Sequence, residues 1–178
     1  MKEACKEIND VMDVVWISGT PSLQVPYLIN LALLLTTVVA GMPPTPRSLF
    51  RLLGKLDRAF ASLLQGRDVE TGEGLPGFEG RRGVSGTEKV RIRSLVERTR
   101  MSVLEAVKRG EFEYEEAEDS GMDLDGDETD GELVLENGDD EDDEDWDMQL
   151  ARVYDRTIVE LGDSLEEPSI GIITEGRG

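Results

Sequence analysis

The segment from Glu111 to Asp147 holds 21 acidic residues and no basic one, and it limits how this chain can fold more than any other feature. Its apolar residues are too few and too scattered to offset the chain entropy lost on folding and the repulsion between neighbouring carboxylates. We therefore expect residues 111–145 to form a disordered acidic linker in the isolated protein. The folded part of the chain must come from the segments on either side of it.

Charge is divided unevenly along the chain. Outside the acidic run, 18 acidic residues stand against 19 basic ones, and residues 47–109 carry 14 basic and 8 acidic residues. A basic middle is thus joined to an acidic arm, within a formal net charge of −20 for the whole chain. Such asymmetry is typical of proteins that bind charged partners.

Hydrophobic periodicity predicts two helices near the start of the chain. Residues 2–16 repeat apolar positions at helical spacing, and residues 18–22 group side chains that favour a turn. Residues 23–42 then contain no charged side chain, over the length that a membrane-spanning helix needs. Because polar residues interrupt this run and amphipathic helices flank it, we expect a buried core helix, with a membrane span as the alternative.

The clearest amphipathic helix follows Thr45 and Pro46, a pair favoured where a helix begins. Its leucines and Phe60 recur at three- and four-residue steps, and Gly66 predicts its end. The basic residues of its opposite face are Arg47, Arg51, Lys55 and Arg58. We expect the apolar face to be buried and the basic face to be exposed, either as a solvated surface or as a docking face for an acidic partner.

A glycine-rich loop over residues 66–86 separates this helix from the next one. Ser85 and Glu88 fit a capping box, in which each side chain accepts from an otherwise unpaired amide at the helix start. The helix continues to about Lys108 and Gly110 ends it. Much of its surface is basic, and its candidate partner-binding residues are Arg91, Arg93 and Arg98.

A last helix is predicted over residues 146–162, where apolar side chains again recur at helical spacing. Its large aromatic residues, Trp146 and Tyr154, belong to a stripe that must pack on the main unit or on a partner. Residues 163–178 look like a tail. Together these elements predict an all-α protein: a small bundle of four to five helices, with residues 1–110 as its body, a long disordered acidic insertion, and a C-terminal helix that packs back on it.

The residue types present exclude several kinds of chemistry. The chain has one cysteine, Cys5, and no histidine, which excludes an intramolecular disulfide, a Cys/His zinc site and histidine-dependent catalysis. Residues 72–77 match G-x-G-x-x-G in letters but lack the preceding strand and following helix, and a calcium loop beginning at Asp123 would have Glu128 at the sixth position, where its sharp turn needs glycine. We therefore expect no enzymatic activity, cofactor, metal or small-molecule ligand.

Three stretches of sequence carry a family resemblance. They are Trp16–Tyr27 (WISGTPSLQVPY), Phe50–Asp57 (FRLLGKLD) and Gly77–Gly80 (GFEG). They resemble a family of fungal helical proteins of uncharacterised function, some of which are labelled meiotic recombination protein. The resemblance covers most of residues 10–161 and implies a nuclear, chromosome-associated role, although the chain has no phosphate-binding loop for a recombinase motor.

Three functions are compatible with the sequence. The first is a non-catalytic adaptor or scaffold in the nucleus or cytoplasm, whose acidic arm and last helix bind a basic protein such as a histone. The second is nucleic-acid contact through the basic middle helices, with the acidic arm as an autoinhibitor. The third is a single-pass membrane protein spanning residues 23–42. The candidate partner-binding residues are Arg47, Arg51, Lys55, Arg91, Arg93, Arg98, Trp146 and Tyr154.

We predict that limited proteolysis of the purified protein cuts first within residues 111–145, because disordered chain enters a protease active site without prior unfolding. Hydrogen exchange read by mass spectrometry checks this independently. Amides of residues 111–145 should exchange like those of an unstructured peptide, whereas amides of residues 47–65 should be protected. Comparable protection in both segments would contradict the prediction.

Overall fold

Helices make up most of the described part of the protein, which in this computed structural model comprises residues 1–78, 83–110 and 148–166, with side chains described as far as residue 162. Across those ranges the chain forms no strand, and the prediction of an all-α bundle is confirmed. Its main helices are α1 (Lys2–Ile17), α2 (Pro21–Gly41), α3 (Pro46–Gln65), α4 (Gly86–Arg109) and α5 (Asp155–Glu166). The predicted acidic linker over residues 111–145 lies outside the described residues.

Local signals determine several helix ends. The Ser85 hydroxyl accepts the Glu88 amide at 3.3 Å and the Glu88 carboxylate accepts the Ser85 amide at 2.8 Å, so the predicted capping box is confirmed. Gly66 and Gly110 adopt left-handed conformations with φ of +71° and +66° directly after α3 and α4. A side chain with a Cβ would be strained there, which is why glycine ends both helices.

Helix α2 lies at the centre of the packing. It makes its most extensive contacts with α4 and also packs against α1 and α3. Its inward side chains Leu28, Ala32 and Leu35 are fully buried. Among these apolar contacts the buried hydroxyls of Thr36 and Thr99 lie 2.8 Å apart, which joins α2 to α4 by a hydrogen bond. By length and composition, α2 is also the one described helix that is long and apolar enough to cross a membrane.

The segment after α3 folds back towards the start of α2. Asp68 accepts the amides of Thr71 and Glu70 at 2.8 and 2.9 Å, and these hydrogen bonds lower the pKa of its carboxyl. Gly77, with φ of +76°, lies so close to Pro21 that an added Cβ would come within 2.7 Å of the proline ring. The backbone therefore needs glycine at this contact both for its conformation and for space.

The segment predicted as one helix over residues 146–162 is interrupted in the structure. A helical turn over residues 148–151 is followed by a turn over 152–154, and α5 begins only at Asp155. Tyr154 has φ of +59°, a left-handed conformation that breaks the helix. At the other end α5 runs past Gly162 to Glu166, so the predicted tail begins later than residue 163. Trp146 and residues 167–178 lie outside the described residues.

Truncation of Leu56 to alanine should lower the free energy of unfolding by roughly 2–5 kcal/mol, because this fully buried side chain of α3 would leave a cavity. The matched control is Leu34→Ala in α2, where half of the side chain is exposed and the change should be within about 1 kcal/mol. Urea denaturation of the full chain measures both values. Equal effects at the two leucines would refute the assigned faces of α2 and α3.

Candidate interaction surfaces

The basic stripe predicted on α3 divides into two parts in the structure. Arg47 and Arg51 are exposed near the start of the helix. The Lys55 side chain is only 28% exposed, contrary to the sequence expectation, because its ammonium pairs with Asp13 at 2.6 Å and donates to Asn9 at 2.7 Å. Arg58 pairs with Glu70 at 2.6 Å. The C-terminal part of the stripe therefore ties α3 to α1 and to the following loop, while Arg47 and Arg51 face solvent.

The three candidate arginines of α4 are all exposed, but they do not lie on one face. Arg91 and Arg98 are seven residues apart, close to two helical turns, and share one side of the helix. Arg93 follows Arg91 by two residues and is rotated by about 200° from it. A single flat ligand contacting all three side chains would have to wrap around α4.

Other arginines of α4 have structural roles. Arg100 donates to the carbonyl of Val153 at 3.0 Å, next to the turn that precedes α5. Arg109 donates to the carbonyl of Val39 in α2 at 3.3 Å. Each guanidinium satisfies a backbone oxygen on another segment, so these two side chains hold the bundle together.

Tyr154 is fully buried, with its ring centroid 6.2 Å from that of Phe60. Burial and the nearby Asp57 charge raise the pKa of its phenol far above the usual range, so the group stays neutral. Among the described residues its hydroxyl has no hydrogen-bond partner. In this structure Tyr154 is a core side chain, and contact with a partner would require α5 to leave α3.

Asp57 holds α5 in place, and no motif in the sequence identifies this role. It belongs to α3 and is 6% exposed. Its carboxylate accepts the amides of Thr157 and Arg156 at 2.8 and 3.3 Å and the Thr157 hydroxyl at 2.7 Å. These amides belong to the first turn of α5, where helical amides lack intrahelical partners and the helix dipole favours an anion. Asp57 thus caps a helix that lies about a hundred residues further along the chain.

The only sequence signal for this role is the position of Asp57 on α3. It lies four residues after Leu53 and three before Phe60, so it borders the buried face of a strongly amphipathic helix. A charged residue in such a place needs buried partners. The sequence therefore indicates that Asp57 needs hydrogen-bond partners, but it does not identify them.

Two open clefts lie between the helices. The larger one, about 440 Å³ between α1 and the start of α3, is lined by charged residues that include Lys6 and Arg51. The other cleft, of about 220 Å³, lies between α1, α3 and the following loop, with the Lys55–Asp13 and Arg58–Glu70 pairs and Trp16 in its walls. It is smaller than most small-molecule sites, and its charges already neutralise one another. In the described ranges no three side chains of the metal-binding types come together. The exposed helix faces are therefore the candidate functional surfaces.

Comparison with known proteins identifies one family. A family model described as TFB6, subunit 11 of the general transcription factor TFIIH, matches residues 1–162. No curated protein and no solved structure shows significant similarity to the chain. The match agrees with the expected helical family, and its description carries no meiotic recombination label.

Replacement of Asp57 by alanine should lower the free energy of unfolding by about 2–4 kcal/mol, because it leaves two amides of α5 without their acceptor and leaves the Thr157 hydroxyl only the backbone carbonyl of residue 57, at 3.2 Å. Hydrogen exchange should also become faster in α5 than in α1. Asp10→Ala, at an exposed site of α1, is the matched control and should change stability by no more than about 0.5 kcal/mol. Unchanged protection of α5 in the Asp57 variant would disprove the capping role.

Proposed function

The chain belongs to the TFB6 family, subunit 11 of the general transcription factor TFIIH, and on that premise we propose that it is a non-catalytic scaffold subunit that binds protein partners of this complex in the nucleus. The family match is the observation that carries the proposal. It spans α1 to α4 and reaches Gly162 inside α5, so it includes the bundle together with the helix that Asp57 holds. The sequence is compatible with the nucleus and with the cytoplasm, and we propose the nucleus.

The architecture supports binding as the function. Exposed charged and apolar helix faces offer contact area, while the chain lacks histidine and the cleft between α1, α3 and the following loop is lined by mutually neutralised charges. A helical bundle of this kind recognises partners through side chains spaced along its helices. The scaffold therefore acts by holding other proteins in position.

The proposed partners follow from charge. The acidic arm over residues 111–147 favours a basic protein segment, such as one of histone type, and the exposed arginines of α3 and α4 favour acidic segments. Arg47, Arg51, Arg91, Arg93 and Arg98 stay candidate contacts on this basis. A meiotic recombination context also stays a prediction, supported by the sequence resemblance alone.

A second candidate function is contact with nucleic acid through α4. The observation that favours it is the exposure of Arg91, Arg93 and Arg98, since guanidinium groups bind phosphates without regard to sequence. In this alternative the acidic arm competes with nucleic acid for the same side chains. A membrane span through α2 is disfavoured, because crossing would withdraw its buried face from α1, α3 and α4.

We expect the full chain to bind TFIIH purified from cells that lack it, as measured by interferometry. A variant in which the 21 acidic residues of 111–147 are replaced by Asn and Gln keeps the arm length. The association rate constant of this variant with TFIIH should be about tenfold lower than that of the wild-type chain at low salt, because electrostatic steering is lost. The difference should shrink as salt screens the wild-type arm.

The same proteins test the alternatives. If the wild-type chain does not bind TFIIH at any salt concentration, the proposed function is wrong. If the neutralised variant shifts labelled DNA and the wild-type chain does not, the arm is an autoinhibitor and α4 a nucleic-acid contact.

A further inference from the structure

We propose that the outward face of α2 is a docking site for a single amphipathic helix of a partner protein, one whose apolar stripe is bordered along one edge by acidic residues. This inference rests on the proposed function, because it identifies the surface that holds a protein of the complex. Three features of the described residues carry it: an uncharged outer stripe on α2, an apolar border on α1 and a basic border on α4.

The outer stripe of α2 is apolar over most of its length. Leu23, Tyr27, Leu33 and Leu34 point outwards with 42–53% of each side chain exposed. Leu23, Tyr27 and Leu34 share one side of the helix at steps of four and seven residues, opposite the buried residues such as Leu28 and Leu35, and Leu33 flanks them. This spacing is that of a seam that takes the side chains of a neighbouring helix.

No charged side chain interrupts this stripe. The chain has no Asp, Glu, Lys or Arg from Val14 to Pro46, and the polar side chains on the outer stripe itself include Asn30 and Thr37. When another apolar helix covers this surface, water is released and no charged group has to be removed from water. Asn30 sits near the middle, where a polar side chain fixes the register of two packed helices.

Helix α1 extends the apolar surface on one side. Because Lys55 of α3 bonds to Asn9 and Asp13, that side of α1 faces α3. Val11 is rotated by about 200° from Asn9 and therefore lies on the side of α1 away from α3, and α1 also packs against α2. Val11 is 47% exposed and adds apolar surface beside the stripe of α2.

Helix α4 adds a positive border on the opposite side. Arg109 donates to Val39 of α2, so the side of α4 that carries Arg109 faces α2. Arg98 and Arg91 precede Arg109 by eleven and eighteen residues, close to three and five helical turns, and therefore lie on the same side. Both are exposed. A helix seated on α2 would meet these guanidinium groups along one edge.

A partner helix with an acidic edge fits this surface better than a second copy of α2 or a lipid surface does. The outward face of α2 is about 30 Å long, the length of a helix of some twenty residues. A second copy of α2 has no acidic residue to place opposite Arg91 and Arg98. A lipid surface would bury Asn30 in the middle of the face without a hydrogen-bond partner. An acidic edge on a partner helix pairs with the arginines and leaves the centre of the contact apolar.

The experiment uses the full chain and TFIIH purified from cells that lack it as the probe. A variant with Leu23, Tyr27 and Leu34 replaced by serine should bind about tenfold more weakly, because it removes central apolar contacts. The matched control replaces Met148, Ile158 and Val159 by serine, three exposed apolar residues on or next to α5. The control should bind like the wild-type chain. Circular dichroism and thermal melting show that both variants are folded.

Charge reversal tests the border on α4. The double variant R91E/R98E should weaken binding about tenfold and change its salt dependence, since like charges would then face each other. R152E/R156E, at two exposed arginines near and within α5, is the control and should bind nearly as the wild-type chain does. Equal losses in the two charge variants would overturn the assigned border.

A photoreactive amino acid in place of Tyr27 identifies the occupant. A crosslink to a peptide of TFIIH with helical apolar spacing and acidic residues along one edge supports the proposal. A crosslink to residues 111–147 of the same chain, to a second copy or to phosphatidylcholine vesicles overturns it.

The two proposals fail in different ways. If the wild-type chain does not bind TFIIH, both are wrong. If the wild-type chain and the serine variant bind equally, only the docking surface is wrong and the proposed function stands.

Discussion

The structure depends on the packing of α2, a helix without charged side chains, against three others. Its inward face can be buried without leaving a charge unpaired, and so it can lie against α1, α3 and α4 at once. The hydroxyl pair of Thr36 and Thr99 adds a directional contact within this apolar region. Because a buried hydroxyl needs a partner, this pair fixes how α2 and α4 lie along each other more narrowly than aliphatic contacts do.

Asp57 is similarly important for the placement of α5. Removing a carboxylate from water is costly, and here three donors of α5 supply the compensation. The interaction also explains how a helix can begin directly after Tyr154, whose left-handed backbone breaks the preceding helical turn. The aromatic contact with Phe60 and the Arg100 bond to Val153 hold the same turn from two further sides. The arrangement orients α5 firmly although a long acidic segment separates it from α4 in sequence.

The sequence predicted those features that arise from neighbouring residues. The capping box of Ser85 and Glu88 and the glycine ends of α3 and α4 depend on a few consecutive positions, and so does the buried face of α3. The pairing of Lys55 with Asp13 and the capping of α5 by Asp57 join residues 42 and about 100 positions apart. Helical periodicity gives the side of a helix on which a residue lies, but not which other helix faces that side. For this reason the sequence reveals neither the pairing of Lys55 with α1 nor the contact of Tyr154 with Phe60.

The charged and uncharged surfaces suit different steps of association. Separated positive and negative regions act over about 8 Å at physiological salt, so they speed and orient an encounter before any contact forms. They add little to the lifetime of a complex once water and ions surround them. An uncharged stripe has no such reach, but apolar contacts that exclude water slow dissociation. On the proposed docking surface the two kinds of surface adjoin, because α4, which carries the exposed Arg91 and Arg98, packs against α2 with its exposed leucines. A partner helix steered by its acidic edge towards these arginines would therefore arrive with its apolar stripe over α2.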